Sequence, residues 1–323
     1  MLKILIPLLF LIFLLFIVDR MLFGPTGASK ETDIFVVPQG KEDFDIAQAL
    51  KEENFIKSEG AFQLLINFFA KEEEIKPGGY RLYTKMNARQ ILTKITGKQD
   101  LFWVTVSSCP RKEQVGEKLA EALGWDKEKL EKWNALYKDT KPDYFEGVYY
   151  PDTYLIPTDE SEVQIAERFI NRFNEKFAPL ADKFVEKNIK WTTGLKIASL
   201  IAREAAGTED MGLISGIIWN RLLKNMPLQI DATMQYTLGK NINGSWWGGI
   251  NLTEKQNDSP YNSYLYKGLP PTPICSPNIE IIEAVLSPEK TDCLYYLHDI
   301  YKEIHCAKTY KDHKANIGKY LRL

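Results

Sequence analysis

The sequence lacks any strong excess of one charge: 41 Lys and Arg stand against 43 Asp and Glu, for a formal net charge of −2. That balance removes the basic footprint of a nucleic-acid binder, so no nucleic-acid partner is expected. Cysteines are few, and Cys109, Cys275, Cys293 and Cys306 match no zinc spacing. The three histidines, His298, His305 and His313, lack the i, i+4 spacing of a helical metal pair and read as structural. No metal and no other cofactor is expected.

One long apolar run is present. Ile4 to Val18 is preceded by Lys3, followed by Asp19 and Arg20, and resumes at Met21-Leu22-Phe23. A bilayer span needs roughly 20 residues, and a cleaved signal peptide has an apolar core of about 7–15. Only Gly27-Ala28-Ser29 offers a weak cleavage site. The expectation is an uncleaved, single-pass anchor over residues 1–23 in the inner or plasma membrane, with the rest of the chain outside the cytoplasm. In an exported chain Cys293 and Cys306 are the favoured couple to pair.

Residues 24–32 are polar and turn-rich and read as a linker. An internal repeat follows. Ile34 to Val37 reads as a strand, Asp45 to Asn54 and Ser58 to Ala70 as helices, and Gly79 to Tyr83 as a closing strand. Asn87 caps a further helix through Ile95. The same order returns with Leu101 to Val106, Gln114 to Leu123, Lys127 to Tyr137, Gly147 to Tyr150 and a helix capped by Ser161. Ile46 to Val115 and Leu50 to Leu119 share an offset of 69. Two βααβ units therefore follow one another, over residues 33–98 and 99–160.

Beyond Trp191 the pattern is mostly helical. Thr192 or Thr193 is expected to cap a helix closing at Gly207, and Thr208 to cap the next. In that second helix Gly212 and Gly216 lie one turn apart and permit close backbone approach. Asp231 reads as the N-cap of a third helix closing at Gly239. The long stretch from Lys240 to Asn278 carries Trp246 and Trp247, which suit either carbohydrate stacking or a core role.

One residue stands out. Ile197, Leu200, Ile201 and Glu204 fall at i, i+3, i+4 and i+7, so a carboxylate shares an apolar stripe, with Lys196, Ser199 and Arg203 opposite. Apolar walls disfavour its charged form and raise its pKa, which is how a glycosidase-type general acid is made. The alternative is a helix-terminal carboxylate paired with an Arg from elsewhere.

The first βααβ unit is similar in architecture to LysM, a small module that binds N-acetylglucosamine-containing glycans. Longer motifs coincide in order with a second family. They are Glu146-Gly147-Val148-Tyr149-Tyr150-Pro151-Asp152-Thr153-Tyr154, then Ala198-Ser199-Leu200-Ile201-Ala202-Arg203-Glu204, then Asn220-Arg221-Leu222 with Leu228-Gln229-Ile230-Asp231-Ala232-Thr233. Tyr261-Asn262-Ser263-Tyr264, Gly268 to Ile274, Leu294-Tyr295-Tyr296 and His305 complete them. With these motifs the chain resembles the YceG-like family of endolytic murein transglycosylases over nearly its whole length. It departs at Ala202, where the family carries a first acidic residue, around Ser107-Ser108-Cys109, and between Asp299 and His305.

The resemblance implies an α+β fold: an N-terminal membrane helix, a LysM-like βααβ module, then a mixed α/β catalytic domain over 99–323 whose C-terminal half, 161–323, is mainly helical and carries the site. It implies Glu204 as catalytic acid/base. Gln229, Asp231, Thr233, Tyr261, Asn262 and Tyr264 are the expected substrate-binding groups, since amides suit N-acetyl groups and tyrosines stack on sugars. Glu146 and Asp152 are expected to hold a strand-to-turn junction. Peptidoglycan strands are the expected partner, with the membrane and, as candidates, cell-wall synthases. Two other readings stay open: a muramidase using Glu204 with Asp231, and a non-catalytic glycan-binding scaffold.

Overall fold

The computed structural model describes residues 2–70 and 74–321, with side chains from residue 6 onward. The fold is α+β, and the chain divides into two compact units. The first comprises residues up to Val104 together with Thr153–Glu160.

In this first unit, α1 (Leu2–Leu22) leads to β1 (Asp33–Val37), α2 (Asp43–Glu52), α3 (Glu59–Phe69), β2 (Gly78–Leu82), α4 (Ala88–Thr96) and β3 (Leu101–Thr105), whose last residue falls in the second unit. With β4 (Thr153–Pro157) they form a four-stranded sheet in the order β1-β2-β3-β4. β1 and β2 pair antiparallel from Asp33↔Leu82 to Val37↔Gly78. Phe35, Val37, Leu50, Phe62, Tyr80 and Ile91 fill the core between sheet and helices. Both expected caps are present. Ser58 accepts from the Ala61 amide, and Asn87 forms a reciprocal capping box with Gln90.

The expected membrane helix is overturned. Among the described residues no helix is long and apolar enough to cross a membrane. In α1 the uninterrupted apolar run from Ile4 ends at Val18, before Asp19 and Arg20, and rises about 22 Å at 1.5 Å per residue, against a hydrocarbon core of roughly 30 Å. Beyond Val18 the helix is tied to its own unit: Arg89 Nη2 binds Asp19 at 2.6 Å, and Lys57 Nζ donates to the Arg20 carbonyl at 3.1 Å. The membrane partner and the single-pass, anchored location were expected on the strength of that helix and are withdrawn with it.

The second unit comprises Thr105–Asp152 and Ser161–Leu323. It contains α5 (Lys112–Leu123), α6 (Lys127–Ala135), α7 (Glu162–Glu186), α8 (Trp191–Glu204), α9 (Met211–Leu223), α10 (Asp231–Leu238) and α11 (Ile279–Leu286). A hairpin of β5 (Tyr295–His298) and β6 (Ile304–Ala307) and then α12 (Tyr310–Tyr320) close the chain. α8 is the central helix and packs against α7, α9, α10 and α11.

Three local expectations move. Gly147 to Tyr150 is not a strand: Val148 and Tyr149 are both fully buried, and the Tyr149 amide donates to Ser276 Oγ. The strand forms instead at Thr153–Pro157. α8 starts from Lys190 rather than Thr192, and Asp210 rather than Thr208 precedes α9. The close approach expected at Gly216 is real, since a Cβ there would lie 2.3 Å from the Glu289 carbonyl.

Candidate active site

α8 is buried more completely than an amphipathic stripe requires. Ile197, Leu200 and Ile201 are fully buried as expected, but so is Ser199, whose hydroxyl donates to the Lys196 carbonyl and accepts from the Ile274 amide. Glu204 is the last helical residue, three positions before the expected stop at Gly207. The turn beyond it is held by Asp210, which accepts from the Ala206 and Gly207 amides at 2.9 and 3.3 Å and meets His298 Nε2 at 2.7 Å.

The Glu204 side chain faces a cavity of about 460 Å³ in the second unit. Burial raises its pKa above the ordinary carboxyl range; a hydrogen bond from Tyr296 opposes that, and the charge of Asp231 adds to it. Its place at a helix C-terminus works in the same direction as burial, because the negative end of the helix dipole disfavours a carboxylate. Tyr296 Oη donates to Glu204 Oε2 at 2.6 Å.

Arg221 sets much of the cavity wall. It lies on α9 at i+7 from Ile214, with Ile217 and Ile218 between, so it breaks an apolar stripe just as Glu204 does. The guanidinium donates to the carbonyls of Leu294, Pro227 and Leu228 at 2.6, 3.1 and 2.7 Å and lies 5.0 Å from the Tyr295 ring centre. Asn220 Nδ2 donates to the Thr291 and Cys293 carbonyls. One turn of α9 thus delivers the chain into β5.

The expected substrate groups separate into two sets. Gln229 and Tyr264 line the cavity with Glu204. Gln229 holds a left-handed φ of 54°, fixed by its amide donating to the Ser263 carbonyl. Asp231 is the first residue of α10 rather than its cap. Ile230 takes the cap position, with its amide bonded to Ser263 Oγ. That frees the Asp231 carboxylate to accept from Lys255 Nζ at 2.9 Å and from the Tyr264 hydroxyl.

Thr233, Asn262 and Tyr261 are engaged elsewhere. Thr233 and Asn262 are fully buried. Thr233 Oγ1 bonds Ile230 and Ser263, and Asn262 Nδ2 donates to the Lys255 and Asn257 carbonyls. Tyr261 bonds Thr272 and packs on Tyr236. The two tryptophans are held by protein partners: Arg111 stands over Trp246 at 4.5 Å and Arg203 over Trp247 at 4.1 Å. Glu146, fully buried, accepts from the Lys112 and Gly147 amides, and Asp152 pairs with Arg172 at 2.7 Å.

Residue-by-residue reading missed Arg221, Lys255 and Tyr296 as site groups. The charged residue on an apolar stripe was the available signal for Arg221. Lys255 had none, since it lies in irregular chain.

The YceG-like family model matches residues 35–319. An endolytic murein transglycosylase of Bacillus subtilis (strain 168) is 28% identical over 329 residues, covering 95% of this chain and 90% of that protein. One of Streptococcus pneumoniae serotype 2 is 27% identical over 346 residues, where 95% of this chain spans 61% of the relative. A 2.6 Å crystal structure of a yceG-like protein from Listeria monocytogenes superposes with a TM-score of 0.60 at 25% identity, covering 89% of this chain and 99% of that one.

Proposed function

The chain belongs to the YceG-like family, and from that membership we propose that it is an endolytic peptidoglycan transglycosylase with Glu204 as its single general acid/base. The observation that carries this reading is a half-buried carboxyl, its pKa raised by burial, facing a cavity large enough for a sugar. Three curated relatives share the name endolytic murein transglycosylase.

Protonated Glu204 donates to the glycosidic oxygen between N-acetylmuramic acid and N-acetylglucosamine. The bond to the muramoyl anomeric carbon breaks, and the N-acetylglucosamine side leaves as a hydroxyl. The Glu204 carboxylate then takes the proton of the muramoyl C6 hydroxyl, whose oxygen closes on the anomeric carbon. The product is a 1,6-anhydro end, the acid is regenerated, and no water is consumed. General acid–base assistance of this kind supplies about 10²–10⁴-fold. Gln229 and Tyr264 are the groups we place against the sugar, and Thr233, Tyr261 and Asn262 support the loop that carries them.

A hydrolase of the same bond needs a second, available carboxyl. Asp231 is the candidate, and its Oδ1 already receives both Lys255 and Tyr264, which favours the one-carboxyl route. Digestion of purified peptidoglycan with product masses tests the proposal. Anhydro ends are expected from the native chain, and Glu204→Gln is expected to lose about 10²–10⁴-fold in rate while keeping its unfolding midpoint. Reducing ends would indicate a muramidase. Glycan binding without release of fragments, unchanged by Glu204→Gln, would indicate a scaffold.

A further inference from the structure

Tyr296 is not needed as a proton carrier in the reaction above, yet it donates a hydrogen bond to the reacting carboxyl, 2.6 Å to Glu204 Oε2. Its location is strongly determined. The segment before β5 is pinned along α9 by the Glu289 amide donating to the Gly212 carbonyl, by Asn220 and by Arg221. The β5–β6 hairpin is cross-linked by the Cys293–Cys306 disulfide. Tyr296 and His298 are two residues apart on β5 and so project to the same face. One meets Glu204, and the other meets Asp210, which holds the turn after Glu204.

A carboxyl has two oxygens, and a phenol donating to one of them leaves that oxygen an acceptor throughout the cycle. We infer that Tyr296 is a positioning residue for catalysis: by occupying Glu204 Oε2 it confines the transferable proton to Oε1, so one oxygen both protonates the glycosidic bond and receives the C6 proton. The inference rests on the proposed role of Glu204. It goes beyond it in naming which oxygen works and what fixes it. Reaction at a single oxygen requires no rotation of the carboxyl between the two half-reactions, which keeps the geometry near-attack in both.

The charged and titratable groups around Glu204 are known, so the effect on pH dependence has a definite sign. Asp231 on α10 disfavours the carboxylate; His298 on β5, Arg203 on α8 and the Tyr296 hydroxyl favour it. Arg221 on α9 interacts with the same charge, and Lys255 and His313 also line the cavity. Removing the Tyr296 hydroxyl withdraws a donor to the charged form, so the carboxyl stays protonated to higher pH.

The test is the pH profile of kcat/KM for Tyr296→Phe beside the native enzyme and Glu204→Gln, all on peptidoglycan strands. The limb that falls with rising pH is expected to move to higher pH, kcat to drop about ten- to a hundredfold, and KM to stay within about twofold. Mere loosening of the hairpin would admit water to Glu204 and move that limb to lower pH. A limb that stays in place or moves down, with Glu204→Gln still slowed by about 10²-fold or more, overturns the inference alone. Turnover by Glu204→Gln within about tenfold of the native rate overturns the reading beneath it. Should Tyr296→Phe fold poorly, Tyr296→His retains a ring donor, and partial recovery of kcat is expected; no recovery in a folded Tyr296→His counts against the inference.

Discussion

At the scale of single residues, the site is a balance of opposed influences on one proton. Burial and Asp231 hold it on Glu204; Tyr296 and the cations pull it off. Asp231→Asn removes a neighbouring negative charge and frees Lys255 from its partner, so both changes favour the Glu204 carboxylate. The falling limb of the pH profile is then expected at lower pH, opposite to Tyr296→Phe, with anhydro ends still the only products by mass analysis. Loss of all activity at every pH in a folded Asp231→Asn would instead give Asp231 a chemical role. Glu204 was legible in the sequence because its chemistry conflicts with its stripe. Asn262 is buried within its own loop and Thr233 lies on α10 against Ser263, a fact set by where the chain from Ser259 to Tyr264 returns, which spacing cannot express.

At the scale of elements, the helices around the core were read from periodicity and caps, and α3, α4 and α7 begin after the expected Ser58, Asn87 and Ser161. The strand expected after Glu146 does not form because the aromatic and β-branched residues there are buried without alternating, while the strand that does form begins two residues after Pro151 and ends on Pro157. The β5–β6 hairpin depends on its covalent link. Cys293 and Cys306 are 13 residues apart, and closing a loop of that size contributes about 3 kcal/mol through the unfolded chain. Replacing both by serine is expected to lower the unfolding free energy by that amount in a denaturant titration. Activity is expected to fall further than stability, because Tyr296 rides on the hairpin. Equal activity after the change would mean that α9 alone holds Tyr296 in place.

At the scale of the whole molecule, one buried group ties stability to pH. Glu146 is fully buried, and its pKa is pushed up to about 8, first by burial and then by the nearby charge of Glu113, against hydrogen bonds from the Lys112 and Gly147 amides. A carboxyl neutral in the fold but ionised in the unfolded chain favours folding most below the ordinary carboxyl range. That contribution is lost as pH rises toward about 8. Unfolding midpoints are therefore expected to fall across this window, and Glu146→Gln, which has no proton to lose, to flatten the decline even if its stability in acid is lower. An unchanged slope in the variant would show that other groups govern the window. The Cys109–Cys275 bridge, with a separation of 166 residues, encloses a large part of the second unit. Ile242 lies within that span and is fully exposed. A protease cutting once beside it would leave both fragments chained together, running as a single band on a denaturing gel until a thiol reductant is added.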